Sequence, residues 1–119
     1  MKIAVSSKGT QLTSAVDPRF GRASYILIID PETGAFEVLN NSVNANAFKG
    51  AGIQAATMIS DKGAEVLMTG YCGPKAFQVL EAAGIKVVSN VSGTVSDAIE
   101  KFNAGSVVYS TDANAEAHW

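Results

Sequence analysis

Glu65-Val66-Leu67-Met68-Thr69-Gly70-Tyr71-Cys72-Gly73-Pro74-Lys75-Ala76-Phe77 reads as an apolar strand that stops at a glycine-rich turn and passes directly into a helix. Pro74 suits a first helical turn, where its missing N–H costs nothing. A turn of this kind leaves the first N–H groups of the helix unpaired at the positive end of its dipole, and Lys75 adds a full charge one turn in. The turn is therefore a seat for an anion, with a thiol beside it in Cys72, the only cysteine.

Outward from this unit the same strand-then-helix grammar repeats. Downstream, Pro74 to Ala83 is a helix stopped by Gly84, Lys86 to Val88 a strand, and Val95 to Phe102 a helix with Thr94 as its N-cap. Upstream, Lys49 to Lys62 carries Ile53, Ala56, Met58 and Ile59 at helical spacing and ends at Gly63. Residues 41 to 48 have no period and read as a loop. Tyr25 to Asp30 and Ala35 to Asn40 flank Pro31-Glu32-Thr33-Gly34, a hairpin turn, and Lys2 to Ser6 is a short buried strand. The order is βββαβαβα, an α/β fold whose mixed sheet has parallel later strands and an early antiparallel hairpin. Ligands of such sheets lie beyond the carboxyl ends of the strands, so the loops after Ser6, Asn40, Thr69 and Ser89 are the candidates. One domain is expected over residues 1–105, with a flexible tail over 106–119.

Composition limits what the site can serve. The 119 residues carry 9 Lys and Arg against 11 Asp and Glu, a net charge of -2, which argues against nucleic acid as a partner. Any basic site is local. No segment approaches the roughly 20 apolar residues of a bilayer span, and the apolar start is too short for a signal peptide, so no membrane partner and a cytoplasmic location are expected. A single cysteine makes no internal disulfide, and no His and Cys cluster has zinc spacing.

The start Met-Lys-Ile-Ala-Val-Ser, Arg19-Phe20-Gly21-Arg22-Ala23, Gly50-Ala51-Gly52-Ile53-Gln54-Ala55-Ala56, Gly70, Gly73-Pro74-Lys75-Ala76-Phe77, Ala83-Gly84-Ile85 and Gly93-Thr94-Val95 together resemble the dinitrogenase iron-molybdenum cofactor biosynthesis family, over about residues 1 to 105. The chain is most similar to its small single-domain members. The resemblance implies an RNase H-like three-layer fold and a carrier of a metal-sulfide cluster, of molybdenum-copper-sulfide or related iron-molybdenum-sulfur type, with cytoplasmic assembly or ATPase partners. Where several relatives place a histidine before the first long helix, this chain has Asn46-Ala47-Phe48-Lys49, and His118 is its only histidine.

An anionic cluster that brings its own sulfides needs N–H donors, cations and an apolar wall rather than a full set of ligating side chains. The donors are expected from Gly70, Tyr71, Cys72 and Gly73 and from Gly50 to Gly52; the cations from Arg19, Arg22, Lys49 and Lys75. The wall is expected from Phe20, Ala47, Phe48, Ile53 and Tyr71, with Asn46 in the same loop. Cys72 is the candidate soft-metal contact, since a helix N-terminus lowers a thiol pKa. Plainer alternatives stand beside these. Cys72 also fits as a small residue in a tight turn, Arg19 as a partner of Asp17, and Phe20 and Phe77 as core. An enzymatic alternative, a small cysteine-dependent sulfurtransferase or reductase, would use Cys72 as nucleophile, but the loop reaches Pro74 too soon to wrap an oxyanion. Asp17, Asp30 and Asp61 are too scattered for a nuclease metal site, and Ser6-Ser7-Lys8-Gly9-Thr10 lacks P-loop spacing. A non-enzymatic carrier is the reading that the residues favour.

Overall fold

The computed structural model describes residues 1–47 and 49–114. Its centre is β1 (Ile3–Ser7), buried along its whole length. A strand buried on both faces must lie inside a sheet, and β1 does. It pairs antiparallel with β2 (Tyr25–Ile29) and parallel with β4 (Val66–Met68). Outside these lie β3 (Phe36–Asn40), antiparallel to β2, and β5 (Lys86–Val88), parallel to β4, giving the order β3-β2-β1-β4-β5. This is the mixed sheet with an early hairpin expected from the sequence.

Alternation along the strands sorts the core into two layers. Ala4, Ile26, Ile28, Leu67 and Val87 face α2 (Ala51–Asp61) and α3 (Pro74–Ala82), where they meet Ala55, Ile59, Phe77 and Leu80. Ile3, Val5, Leu27, Ile29, Val66, Met68 and Val88 face the other way, onto Val95, Ala98 and Phe102 of α4 (Val95–Asn103). Helices therefore cover both faces. The expected N-cap of α4 is present as a reciprocal box: the Asp97 N–H donates to the Thr94 hydroxyl at 3.0 Å, and the Thr94 N–H to the Asp97 carboxylate at 3.0 Å. Those bonds hold the Asp97 carboxyl below its ordinary pKa.

One expectation needs correction. Residues 41–48, read as a loop, contain a one-turn helix, α1 (Ser42–Ala45), so the order is βββααβαβα. Local bonds rather than apolar periodicity make it: the Asn40 side chain accepts from the Ser42 N–H, and the Asn46 side chain donates to the Ser42 carbonyl, each at 2.9 Å. The segment after 105 lies against the domain as far as Asn114. Val107 packs in the α4 layer, Tyr109 lies under the Lys86 ammonium at 5.1 Å, and the Ser110 N–H donates to the Val87 carbonyl at 2.7 Å. Backbone pairing and single contacts hold this segment, and neither leaves a periodic signal. His118 lies outside the described residues, and no helix among them is long and apolar enough to cross a membrane.

Candidate functional site

From β1 the chain turns to β2 and β3 on one side of the sheet and later to β4 and β5 on the other. A crevice opens at such a switch point, beyond the carboxyl ends of β1 and β4. Buried hydroxyls tie those ends together. Ser6 Oγ donates to the Asp17 carbonyl at 2.7 Å and lies 2.7 Å from Thr69 Oγ1, so the loop after β1 folds across the strand ends. It then meets the loop after β4: the Tyr71 N–H donates to the Pro18 carbonyl at 2.6 Å, and the Phe20 N–H to the Tyr71 carbonyl at 3.2 Å.

Close approach makes glycine obligatory here. A Cβ on Gly21 would lie 2.5 Å from the Gly52 nitrogen and 2.6 Å from its Cα, and a Cβ on Gly52 would lie 2.9 Å from Ala76 Cβ. Gly21 thus lets the 19–22 turn rest on the start of α2, and Gly52 lets α2 rest on the start of α3. Two helix N-termini converge on one cleft as a result. Neither has a side-chain cap: the N-cap residues are Gly50 and Gly73. Their first-turn N–H groups are left for solvent or a ligand, unlike those of the capped α4.

The cleft has a volume of about 440 Å³. Its lining brings together ten residues singled out from sequence: Arg19, Phe20, Arg22, Lys49, Gly50, Gly52, Ile53, Tyr71, Gly73 and Lys75. Gly21 and Ala76, which sequence reasoning did not assign, complete it together with Ala51, expected only as a backbone donor. Gly21 carried a signal in standing between two site residues. Four of the nine Lys and Arg residues line this one cleft, and among the described residues no carboxylate does, in a chain of net charge -2. Phe20 is 2% exposed and forms the floor as a core residue, while Ile53 and Tyr71 give partly open apolar walls.

The cations are not equivalent. Arg22 Nη1 donates to the carbonyls of Ala45 at 3.0 Å and Ala47 at 2.6 Å, so this guanidinium holds the end of α1 beside the cleft. Asn46 and Ala47 belong to that held loop and do not line the cleft; Phe48 lies outside the described residues. Arg19 Nε lies 3.9 Å from Asp17 Oδ1, the alternative partner weighed for it, with the arginine side chain 53% exposed. Lys49 and Lys75 are exposed at the rim. Of the expected N–H donors between Gly70 and Gly73, two are already used: Tyr71 donates to Pro18, and Cys72 donates to the Asn114 side chain at 2.9 Å. Gly70 does not line the cleft. A Cβ there would lie 2.6 Å from Pro18 Cα, so its smallness serves packing. The loop after Ser89 does not line it either; the Asn90 N–H donates instead to the Gly70 carbonyl.

Cys72 packs as the plainer of its two readings has it, as a small residue in a tight turn. Its side chain is 1% exposed, packs in the core layer with Phe20, Ala76 and Phe77, and does not line the cleft. Burial among apolar groups disfavours the thiolate and pushes the pKa from an ordinary 9.0 up to about 12. Burial therefore favours a small residue packed in a tight turn over an accessible metal ligand or a reactive thiolate. Because folding raises this pKa, the stability that the neutral thiol contributes is complete below about pH 9 and is lost as pH rises towards 12. At pH 8, modification of Cys72 by a disulfide reagent is expected to be at least about a hundredfold slower in the native protein than in guanidinium. Similar rates in the two states would show that the thiol is open.

Among the described residues no group of three or more His, Cys, Asp or Glu stands where it could hold a metal ion. The charged side chains that line the cleft are, among the described residues, all cations. Residues 1–105 match the family described as dinitrogenase iron-molybdenum cofactor. The chain is similar to the orange protein from Desulfovibrio gigas, solved in its apo form, with 44% identity, 96% of each chain covered and a TM-score of 0.93. A Thermotoga protein solved by NMR is similar at 38% identity, covering 96% of this chain and 97% of that one, with a TM-score of 0.82. An uncharacterized protein of Methanocaldococcus jannaschii is 29% identical over 108 residues, 88% of this chain and 87% of that protein.

Proposed function

Because the chain belongs to the dinitrogenase iron-molybdenum cofactor family, we propose that its cleft binds and carries an anionic metal-sulfide cluster as cargo, of molybdenum-copper or iron-molybdenum type. One observation carries the proposal. Four cations and two uncapped helix N-termini surround a single cleft that no described carboxylate lines. A cluster already saturated with sulfide presents negative charge and polarisable sulfur, which match N–H donors, guanidinium and ammonium groups and the apolar faces of Ile53 and Tyr71. It is held without a protein thiolate, since Cys72 sits beneath the floor. Binding then rests on charge and shape, and release needs no bond to break. Storage and delivery to a cofactor-assembly or ATPase partner belong to the same proposal and rest on family membership. The five-stranded mixed sheet with helices on both faces supports the RNase H-like reading of the fold.

The alternative, a sulfurtransferase or reductase working through Cys72, needs an exposed thiolate at the mouth of the cleft. Burial and a pKa of about 12 count against it.

Mixing the protein with tetrathiomolybdate and a copper(I) salt under reducing conditions is expected to give sulfide-to-metal charge-transfer bands that stay with the protein on desalting. Cys72→Ser retains them, and raised ionic strength weakens them. A colourless protein after desalting would sink the proposal.

A further inference from the structure

We infer that Asn114 is a positioning residue of the cleft, acting through the turn that launches α3. Residues 107–114 cross the edge of the sheet beside β5: Val107 packs in the α4 layer, and Ala113 packs against the opposite layer, the one that holds Cys72. Ser110 fastens the crossing. Its N–H donates to the Val87 carbonyl at 2.7 Å, and its hydroxyl donates to Ser89 Oγ at 2.7 Å.

The strap then reaches the turn. The Cys72 N–H donates to Asn114 Oδ1 at 2.9 Å, and the Asn114 N–H donates to the Cys72 carbonyl at 3.1 Å. Asn114 Nδ2 donates to the Gly70 carbonyl at 2.9 Å. The amide thus serves Gly70 and Cys72 at once, while the Tyr71 N–H between them goes to the Pro18 carbonyl. The turn is clamped between two loops distant in sequence. Asn90, the one non-glycine residue with positive φ among those described (61°), adds a second bond to the Gly70 carbonyl. Fixing Gly70 to Cys72 fixes where Gly73 starts α3, and hence where the N–H groups of its first turn aim. No other side-chain type of this length both accepts from one backbone group and donates to another, so asparagine is specific here.

The inference rests on the anion-site reading for its effect on binding, but not for its effect on Cys72. In the full chain, Asn114→Ala is expected to raise the dissociation constant for tetrathiomolybdate about tenfold and to alter the visible circular dichroism induced in the bound anion. It should also speed modification of Cys72 about tenfold, because the turn covering the thiol opens locally. Asp112→Ala, in the same strap, should change none of these. An unchanged thiol rate, or one that rises only in proportion to the global unfolding constant, overturns the clamp. A faster thiol with unchanged affinity and unchanged induced dichroism overturns the positioning role. If the unmodified protein binds no tetrathiomolybdate, the anion reading fails and the thiol rate alone decides whether Asn114 holds the turn.

Discussion

Glutamate at both Lys49 and Lys75 should abolish retention of tetrathiomolybdate on desalting while leaving the fold intact. Both lysines are exposed and line the cleft, so the exchange removes no core contact. It changes the electrostatics completely. The four lining cations contribute +4, and replacing two of them with carboxylates leaves two positive and two negative charges, a sum of zero. Exposed pairs in water are worth about 0.2 to 1 kcal/mol each, so any single alanine substitution at the rim should weaken binding only a few-fold. Reversal acts twice at each position, replacing an attraction with a repulsion of an anion that carries more than one charge. Four such terms sum to about 0.8 to 4 kcal/mol, or roughly 4- to 1000-fold in affinity. Equilibrium dialysis at low and high salt gives the measurement. Unchanged affinity in the double variant would show that the cluster is not held by the charge of the cleft.

The second large effect lies at a residue that contacts no charge. Gly21→Ala should lower both the melting temperature and the affinity, because three backbone atoms of Ala51 and Gly52 would lie within 2.9 Å of the new Cβ. No rotamer relieves a clash between Cβ and backbone. Either the 19–22 turn withdraws from α2, or the start of α2 moves out of the cleft. Overpacking of this kind costs about 1 to 3 kcal/mol. For a domain of this size each 1 kcal/mol corresponds to roughly 4 °C or more in melting temperature. A thermal melt within 1 °C of the unsubstituted protein would show that the turn and helix are not locked together as described.

Much of the fold was legible because the relevant signals are local. Pro31-Glu32-Thr33-Gly34 announces its hairpin, Gly63 and Gly84 announce helix ends, and Thr94 announces a cap. The cleft was legible in outline for a topological reason: parallel neighbours put their carboxyl-end loops on one edge of the sheet, so residues 19–22, 49–53 and 71–75 converge once the strand order is known. What escaped depends on long-range pairing. Whether the N–H groups of Tyr71 and Cys72 are free depends on Pro18 and Asn114, and nothing near residue 71 in the sequence carries that information. The state of Cys72 likewise depends on long-range packing. A helix N-terminus lowers a thiol pKa, but the burial that raises it comes from Phe20 and Phe77 packed in the same layer. The strap of residues 107–114 escaped because single amide contacts have no period.

The convergence of two uncapped helix starts beside four cations also couples any anion bound there to the stability of the fold. Like-signed charge and dipole ends packed together repel, and an anion that settles among them relieves the repulsion. Occupancy and conformational lifetime are therefore linked. Cargo at 100 times its dissociation constant would add about 2.7 kcal/mol to the folding free energy. On the proposed function, loaded molecules would open to proteases less often than unloaded ones.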